Sequence, residues 1–384
     1  MRILIVCNYE GSKPYIPNLV ERLLSLNYNV DILDIGNFYF IKTNNVCYID
    51  TKNKIHPLFF KIPLMRKYLR IVITKNFIKK LETKYDVVNL HYASKIYSHF
   101  LKELKIIGGK LILNMWGSDF YRDRFNKNTE FKQLKVYDYV DKILFASEYF
   151  LKTFNNYYLA TYRRNYQSKL SVVRWGIDII DKIKFIRNNE DKKNIRQYFN
   201  IPEDYIVITV GYNASIFQQH TKIIQKIKEL KEKFFKKIYL LLPMTYREDK
   251  KNYIEEVRSL LNSFSVKYLI LINYISDLDI ARLRLVTDIA INMQMTDDLN
   301  ASIQEHLFAG NIVVCGDWLP YKVYTDNGIH IEFVSFDNLS AKLYDISLNF
   351  DSYSKKFNEN VDKVYKFSSW EYNIQSWVNV FENS

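Results

Sequence analysis

At 384 residues and 48% hydrophobic content, the chain has apolar material for two domains with a core each, which excludes an intrinsically disordered protein. Lys and Arg number 55 against 42 Asp and Glu, and the net charge of +13 calls for an anionic partner: nucleic acid, an acidic lipid surface or a nucleotide diphosphate. Three widely spaced cysteines, Cys7, Cys47 and Cys315, contain no C-x-x-C pair, so neither a disulfide framework nor a zinc site is signalled, which fits a reducing cytoplasm.

Arg2–Cys7 is a continuous apolar run closed by the polar segment from Asn8 to Ser12, as in a buried parallel strand feeding a loop. It lacks the apolar length of a signal peptide, and no run approaches the ~18 apolar residues of a membrane span. A helix is predicted over Ile16–Leu26 and a strand over Asn29–Leu33. No G-x-G-x-x-G follows the first strand, which argues against nicotinamide and flavin cofactors. Between Lys61 and Lys84, basic residues including Arg66, Lys67, Arg70, Lys79 and Lys80 alternate with Leu64, Leu69, Ile73 and Ile78, opposed by Glu82 alone. Residues 61–84 therefore read either as basic amphipathic helix on an anionic bilayer or as a solvated helix face with its core stripe. Nucleic acid is not expected there, since no recognition motif accompanies the charge.

A strand over Asp86–His91 precedes a predicted helix over Ala93–Leu104, and Gly108-Gly109 turns the chain into a strand over Lys110–Asn114 that stops at Trp116-Gly117-Ser118-Asp119. Open α/β sheets bind ligands at the carboxyl ends of their strands, so His91 and Asp119 are candidates to converge on one rim. Each also has a structural role open to it, His91 as a packed strand-end residue and Asp119 as a helix cap. The strand at 142–147 and the segment Leu170–Asp178 complete the first half, and the charged run 187–196 reads as a linker.

The second half restarts with a strand over Tyr205–Gly211. Its loop, with Asn213, Ser215 and His220, offers amides, a hydroxyl and helix N–H groups to a phosphate, but no Lys or Arg. A strand over Ile238–Leu242 leads to Pro243-Met244-Thr245-Tyr246-Arg247, and one over Tyr268–Asn273 to Tyr274 and Ile275. The stretch from Thr296 to Tyr321 opens in a polar loop, continues as a short helix stopped by Gly310, and enters the apolar strand 312–315. Asp297, Asn300 and Glu305 surround the helix start, where free N–H groups and the dipole favour an anion. The alternative for Glu305 is a capping box with Ser302.

An acid, seven residues and then Glu-x-Leu-x-x-Gly, here Asp297 to Gly310, resembles the donor-site signature of family-4 GT-B glycosyltransferases, with Asp297 in place of the usual Glu. Trp116-Gly117 stands where that family often has His-Gly, and its Arg and Lys near the Gly211 loop are missing. Val210-Gly211 with Ala214 and His220, together with Pro243-Met244-Thr245-Tyr246 and Tyr253-Ile254-Glu255-Glu256-Val257, is similar to the bacterial 4-acetamido-4,6-dideoxygalactose transferases of enterobacterial common antigen synthesis. That family inverts, whereas family 4 retains, so the stereochemistry stays open.

The resemblance implies an α/β, GT-B architecture of two Rossmann-like domains facing a cleft. An acceptor domain would occupy residues 1–185 and a donor domain 200–365, with a helix over 366–384 crossing back. It implies a hexosyl or deoxyhexosyl transferase of bacterial surface polysaccharide or glycoconjugate synthesis. The donor would be a nucleotide-sugar and the acceptor a glycan or polyprenyl-linked acceptor. No cofactor or metal is expected, and the enzyme would be cytoplasmic or peripheral on the inner face of the plasma membrane. Asn213, Ser215, His220, Arg247, Tyr274, Ile275, Asn300 and Glu305 would bind donor, with Arg247 replacing the missing cations. Asp119 or His91 would act as base in an inverting reaction, and Asp297 would lie nearer the chemistry in a retaining one. A nucleotide-sugar 2-epimerase of the same fold, or a non-catalytic subunit binding a glycosylated partner, are the alternatives.

Overall fold

The computed structural model describes all residues except 13–14, 44–46, 53–60, 231–236, 247–249, 265 and 384. Arg247, a predicted donor ligand, therefore lies outside the described residues. The chain divides into two compact units, Met1–Trp175 with Asn373–Ser384, and Gly176–Tyr372.

The first unit holds strands β1 (Arg2–Cys7), β2 (Asn29–Asp34), β3 (Tyr39–Lys42), β4 (Cys47–Asp50), β5 (Tyr85–His91), β6 (Gly108–Asn114), β7 (Lys142–Phe145) and β8 (Leu170–Val172). Their order is β4-β3-β2-β1-β5-β6-β7-β8, parallel except where β3 pairs antiparallel with β2 and β4. β1 sits between β2 and β5, so the direction of winding reverses there. Strands buried on both faces read as unbroken apolar runs, and Ile3 to Cys7 are fully buried. The C-terminal segment belongs to this unit: Trp377 Nε1 donates to the Arg174 carbonyl (3.0 Å), and the Tyr28 hydroxyl to Glu382 (2.6 Å).

The second unit is an all-parallel sheet of β9 (Ile206–Val210), β10 (Ile238–Pro243), β11 (Lys267–Leu271), β12 (Ile289–Asn292), β13 (Ile312–Gly316) and β14 (Glu332–Val334), ordered β11-β10-β9-β12-β13-β14. Its winding reverses between β9 and β12, whose paired residues include Val210 and Ile291.

Two local expectations change. The charged run 187–196 is largely helical, within Asp178–Asn189 and Lys192–Tyr198. Ile180, Ile183 and Ile186 supply the buried face of the first of these helices and Ile195 that of the second. The helix predicted over Ala93–Leu104 is broken into a 3-10 turn at Tyr97–His99 and a helix at Leu101–Ile107. That break lets the Tyr97 hydroxyl reach the carbonyls of Val6 (3.0 Å) and His91 (2.8 Å). The basic segment forms one helix, Pro63–Lys80, with Ile73 and Ile78 buried while Arg66, Lys67, Lys79 and Lys80 are exposed. No described helix is long and apolar enough to cross a membrane.

Candidate functional site

In the second unit, two loops leave neighbouring strands at the switch point and meet. After β9 the chain turns at Gly211, whose φ of 63° favours glycine. A Cβ there would stand 2.7 Å from His220 Nε2 and 3.1 Å from Gln218 Oε1. After β12 comes the loop that holds Asp297. Gln218 Nε2 donates to Gln294 Oε1 (2.8 Å), Gln219 Nε2 to the Met293 carbonyl (2.6 Å) and the Met295 amide to the Phe217 carbonyl (3.0 Å). The seam is polar yet buried at its base, and Gln218 Oε1, His220 Nε2 and Gln294 Nε2 have no hydrogen-bond partner among the described residues.

Beyond this seam the helix Ala301–Ala309 begins. Asn300 is its N-cap, with Oδ1 accepting from the Ile303 amide (2.8 Å), so the Ser302–Glu305 capping box is not what starts the helix. Asn300 Nδ2 also donates to Asp297 and to the Tyr321 hydroxyl, and that hydroxyl donates to Asp297. Burial pushes the Asp297 carboxyl up to about 6, against the lowering effect of Tyr321, Asn300 and the Asp298 amide. The group thus changes charge near neutral pH, at the mouth of a helix dipole.

Glu305 occupies a different setting. It lies within the helix, 5% exposed, with its carboxylate taken by the buried Arg284 at 2.9 Å. Arg284 Nη1 also lies 3.1 Å from His306 Nε2, and burial followed by the Arg284 charge holds His306 well below the usual imidazole range.

The other predicted donor ligands are distributed along the same loops. Asn213 Oδ1 accepts from the Ser215 amide (2.8 Å), and Ser215 Oγ caps a short 3-10 turn through the Phe217 amide (3.3 Å). His220 opens the helix His220–Lys228 with its amide 3.0 Å from the Tyr253 hydroxyl, and burial pushes its pKa down to about 4. Tyr274 and Ile275 follow the edge strand β11, and Tyr274 is 86% exposed. Residues that sequence reasoning missed are Gln218, Gln294 and Tyr321. Amides and a phenol follow no spacing rule, and the tie from Tyr321 to Asn300 spans 21 residues.

In the first unit, His91 and Asp119 do gather at the strand ends, in contrasting states. Asp119 is buried, and its carboxylate accepts from the amides of Ala93 (2.8 Å) and Trp116 (3.1 Å), which ties the loop after β5 to the loop after β6. Burial still pushes its pKa up to about 6. His91 is boxed by Trp116, Trp175 and Trp377 at ring distances of 6.2, 5.7 and 6.3 Å. Burial pushes its pKa down to about 3, which leaves a neutral imidazole at physiological pH. It lines a cavity of about 560 Å³ beside Asn8, Gly36, Arg70, Lys95 and Trp116.

Neither a protein-family model nor a curated sequence matches this chain. Solved structures do match in fold. A glycosyltransferase from Rickettsia africae is 16% identical, with 100% of this chain and 98% of that one covered and a TM-score of 0.70. Sucrose-phosphate synthase from Thermosynechococcus elongatus is 12% identical, with the same coverage and a TM-score of 0.72. The Anabaena protein HepE, in complex with UDP, is 10% identical over 100% of both chains, with a TM-score of 0.67. The two parallel-sheet units and the fold shared along the whole chain establish the GT-B fold.

Proposed function

We propose that the protein is a glycosyltransferase that takes its nucleotide-sugar donor in the Gly176–Tyr372 unit and its acceptor in the Met1–Trp175 unit. The observation that carries this reading is the junction at the second sheet's switch point. There the Gly211 turn and the Asp297 loop are stitched together ahead of the nine-residue helix Ala301–Ala309, the setting in which open α/β sheets bind nucleotides. UDP bound to a protein of the same fold supports the donor class.

The leaving diphosphate is neutralised by helix N–H groups, with Arg247 as its cation, and the reaction needs no resident metal or cofactor. Asn213, Ser215, His220 and Asn300 bind or shape the donor site, and Tyr274 with Ile275 receives the base. Glu305 supports the donor site from behind, its carboxylate held by the buried Arg284. In a retaining reaction Asp297 lies by the transferred sugar. In an inverting one, Asp119 in its ionised form removes the acceptor proton. The narrower likeness to 4-acetamido-4,6-dideoxygalactose transferases supports bacterial glycoconjugate synthesis on a lipid-linked acceptor. The exposed Ile62, Met65 and Tyr68 beside Lys61, Arg66 and Lys67 support attachment to the anionic inner face of the membrane.

Thermal-shift and calorimetric titrations with UDP, GDP and dTDP sugars test the reading. One nucleotide series should raise Tm by several degrees at a hundredfold excess over Kd. No binding by any of them sinks the donor site. Turnover of bound donor to its 2-epimer without any acceptor replaces the transferase with an epimerase.

A further inference from the structure

The cavity of the first unit carries an unbalanced charge. It opens where β1, β2 and β5 end, on both sides of that sheet's switch point, through Asn8 and Ser12, Ile35 and Gly36, and His91. Lys67, Arg70, Lys95 and Lys132 line it together with His99, while no described Asp or Glu does. Asp34 lies close behind, its carboxylate accepting from the amides of Tyr9 (3.2 Å) and Gly36 (2.8 Å) and from Asn37 Nδ2 (3.1 Å). Two of the cations are fastened to neutral groups: Lys95 to the Thr129 hydroxyl (2.9 Å) and Arg70 to the Gly36 carbonyl (3.3 Å). Cations gathered in one concavity repel each other and focus a positive potential, which an incoming anion relieves.

A second observation is independent of charge. His91 is 1% exposed, and neither ring nitrogen has a hydrogen-bond partner among the described residues. The same holds for Trp116 Nε1 and Arg70 Nε, and all three side chains line the cavity. Buried polar atoms left without partners are rare and mark places where a ligand or water completes them. A neutral imidazole offers one donor and one acceptor, which suits a hydroxyl.

We propose that this cavity holds a phosphate-bearing sugar or polyol as the acceptor, with its phosphate on Lys67, Arg70, Lys95 and Lys132 and a hydroxyl on His91. Its role as acceptor rests on the transferase reading above, whereas the anion site stands on the cavity's own residues. The charge is provided by side chains on separate elements, so a phosphate is met from several sides by charge-assisted bonds.

Calorimetry on the full chain tests this with glucose 6-phosphate, glucose and UDP, in the wild type and in Lys67→Gln/Lys132→Gln. Vesicles containing phosphatidylinositol, compared with phosphatidylserine at equal charge, test a lipid-borne phosphate. The expected result is binding of glucose 6-phosphate or a preference for phosphatidylinositol. Glucose should bind about tenfold more weakly or not at all. The double variant should lose about tenfold in phosphate affinity and keep its UDP affinity. If UDP binds while neither phosphate source does, the anionic acceptor is wrong and the transferase reading survives. A fall in UDP affinity in the double variant places the donor diphosphate in this cavity and overturns the proposal. Failure of UDP and of both phosphate sources removes both readings.

Discussion

Replacing Glu305 by Ala should destabilise the second unit before it says anything about donor binding. Glu305 and Arg284 are 5% and 6% exposed, and the carboxylate takes both Arg284 Nε and Nη2 at 2.9 Å. Truncation strands a guanidinium that cannot lose its proton, beside a His306 that is neutral. Breaking a buried pair from one side costs about 3–5 kcal/mol. At about 2–4 °C per kcal/mol for a domain of 150–250 residues, Tm should fall by about 6–20 °C. The double variant Arg284→Met/Glu305→Leu removes both charges and should recover most of the loss. Urea unfolding of the wild type, Arg284→Met, Glu305→Leu and the double gives the coupling energy through a double-mutant cycle. A Glu305→Ala protein within about 1 kcal/mol of wild type would refute the reasoning, because it would show that the pair is solvated. Glu305→Gln retains the shape, so its UDP affinity at equal stability reports on the ligand.

Asp119 gives a pH signature. Its folded pKa of about 6 lies above the ordinary aspartate value of 3.8 because burial disfavours the charged form, so the folded state holds its proton more tightly. The associated stability is present in full below about pH 4 and is lost as pH rises through about 6, roughly 3 kcal/mol in all. The stability difference between wild type and Asp119→Asn should change by that amount between pH 4 and 7 in urea titrations, and a flat difference contradicts the assignment. Tyr321→Phe deletes a hydroxyl bonded to Asn292 (2.9 Å), Asn300 (2.8 Å) and Asp297. It should cost about 1–3 kcal/mol and raise the Asp297 pKa above about 6, measured by carbon NMR of the carboxyl; an unchanged titration counts against the bond. Gly211→Ala meets both a φ of 63° and the 2.7 Å approach to His220. A loss of about 1–3 kcal/mol with weaker UDP binding is expected, and a wild-type melt with wild-type affinity excludes Gly211 from the donor turn.

The boundary between what could and could not be read in the sequence follows the range of the interaction that decides each feature. β10 was legible because Leu240, Leu241 and Leu242 are buried on both faces, and such a strand writes itself as an apolar run. Gly310 was legible because a left-handed residue, φ 84°, closes its own helix. The position of the acid-and-Glu signature was legible for the same local reason, but its chemistry was not. Asn300 and Ser302 are both competent caps, and a phenol 21 residues downstream accompanies the choice of Asn300. The setting of Glu305 is decided by Arg284, 21 residues upstream. The charged run 187–196 misled for a related reason: its arginines reach distant segments, Arg187 donating to the Phe308 carbonyl (2.7 Å) and Arg196 to the Asp288 carboxylate (3.0 Å). Charges that find partners at a distance look identical, in sequence, to charges that only meet water. The cations around His91, which no described lining carboxylate opposes, were invisible for the converse reason, since they come from the helix Pro63–Lys80, the β5 loop and the helix Lys127–Tyr139, and only the fold puts them in one cavity.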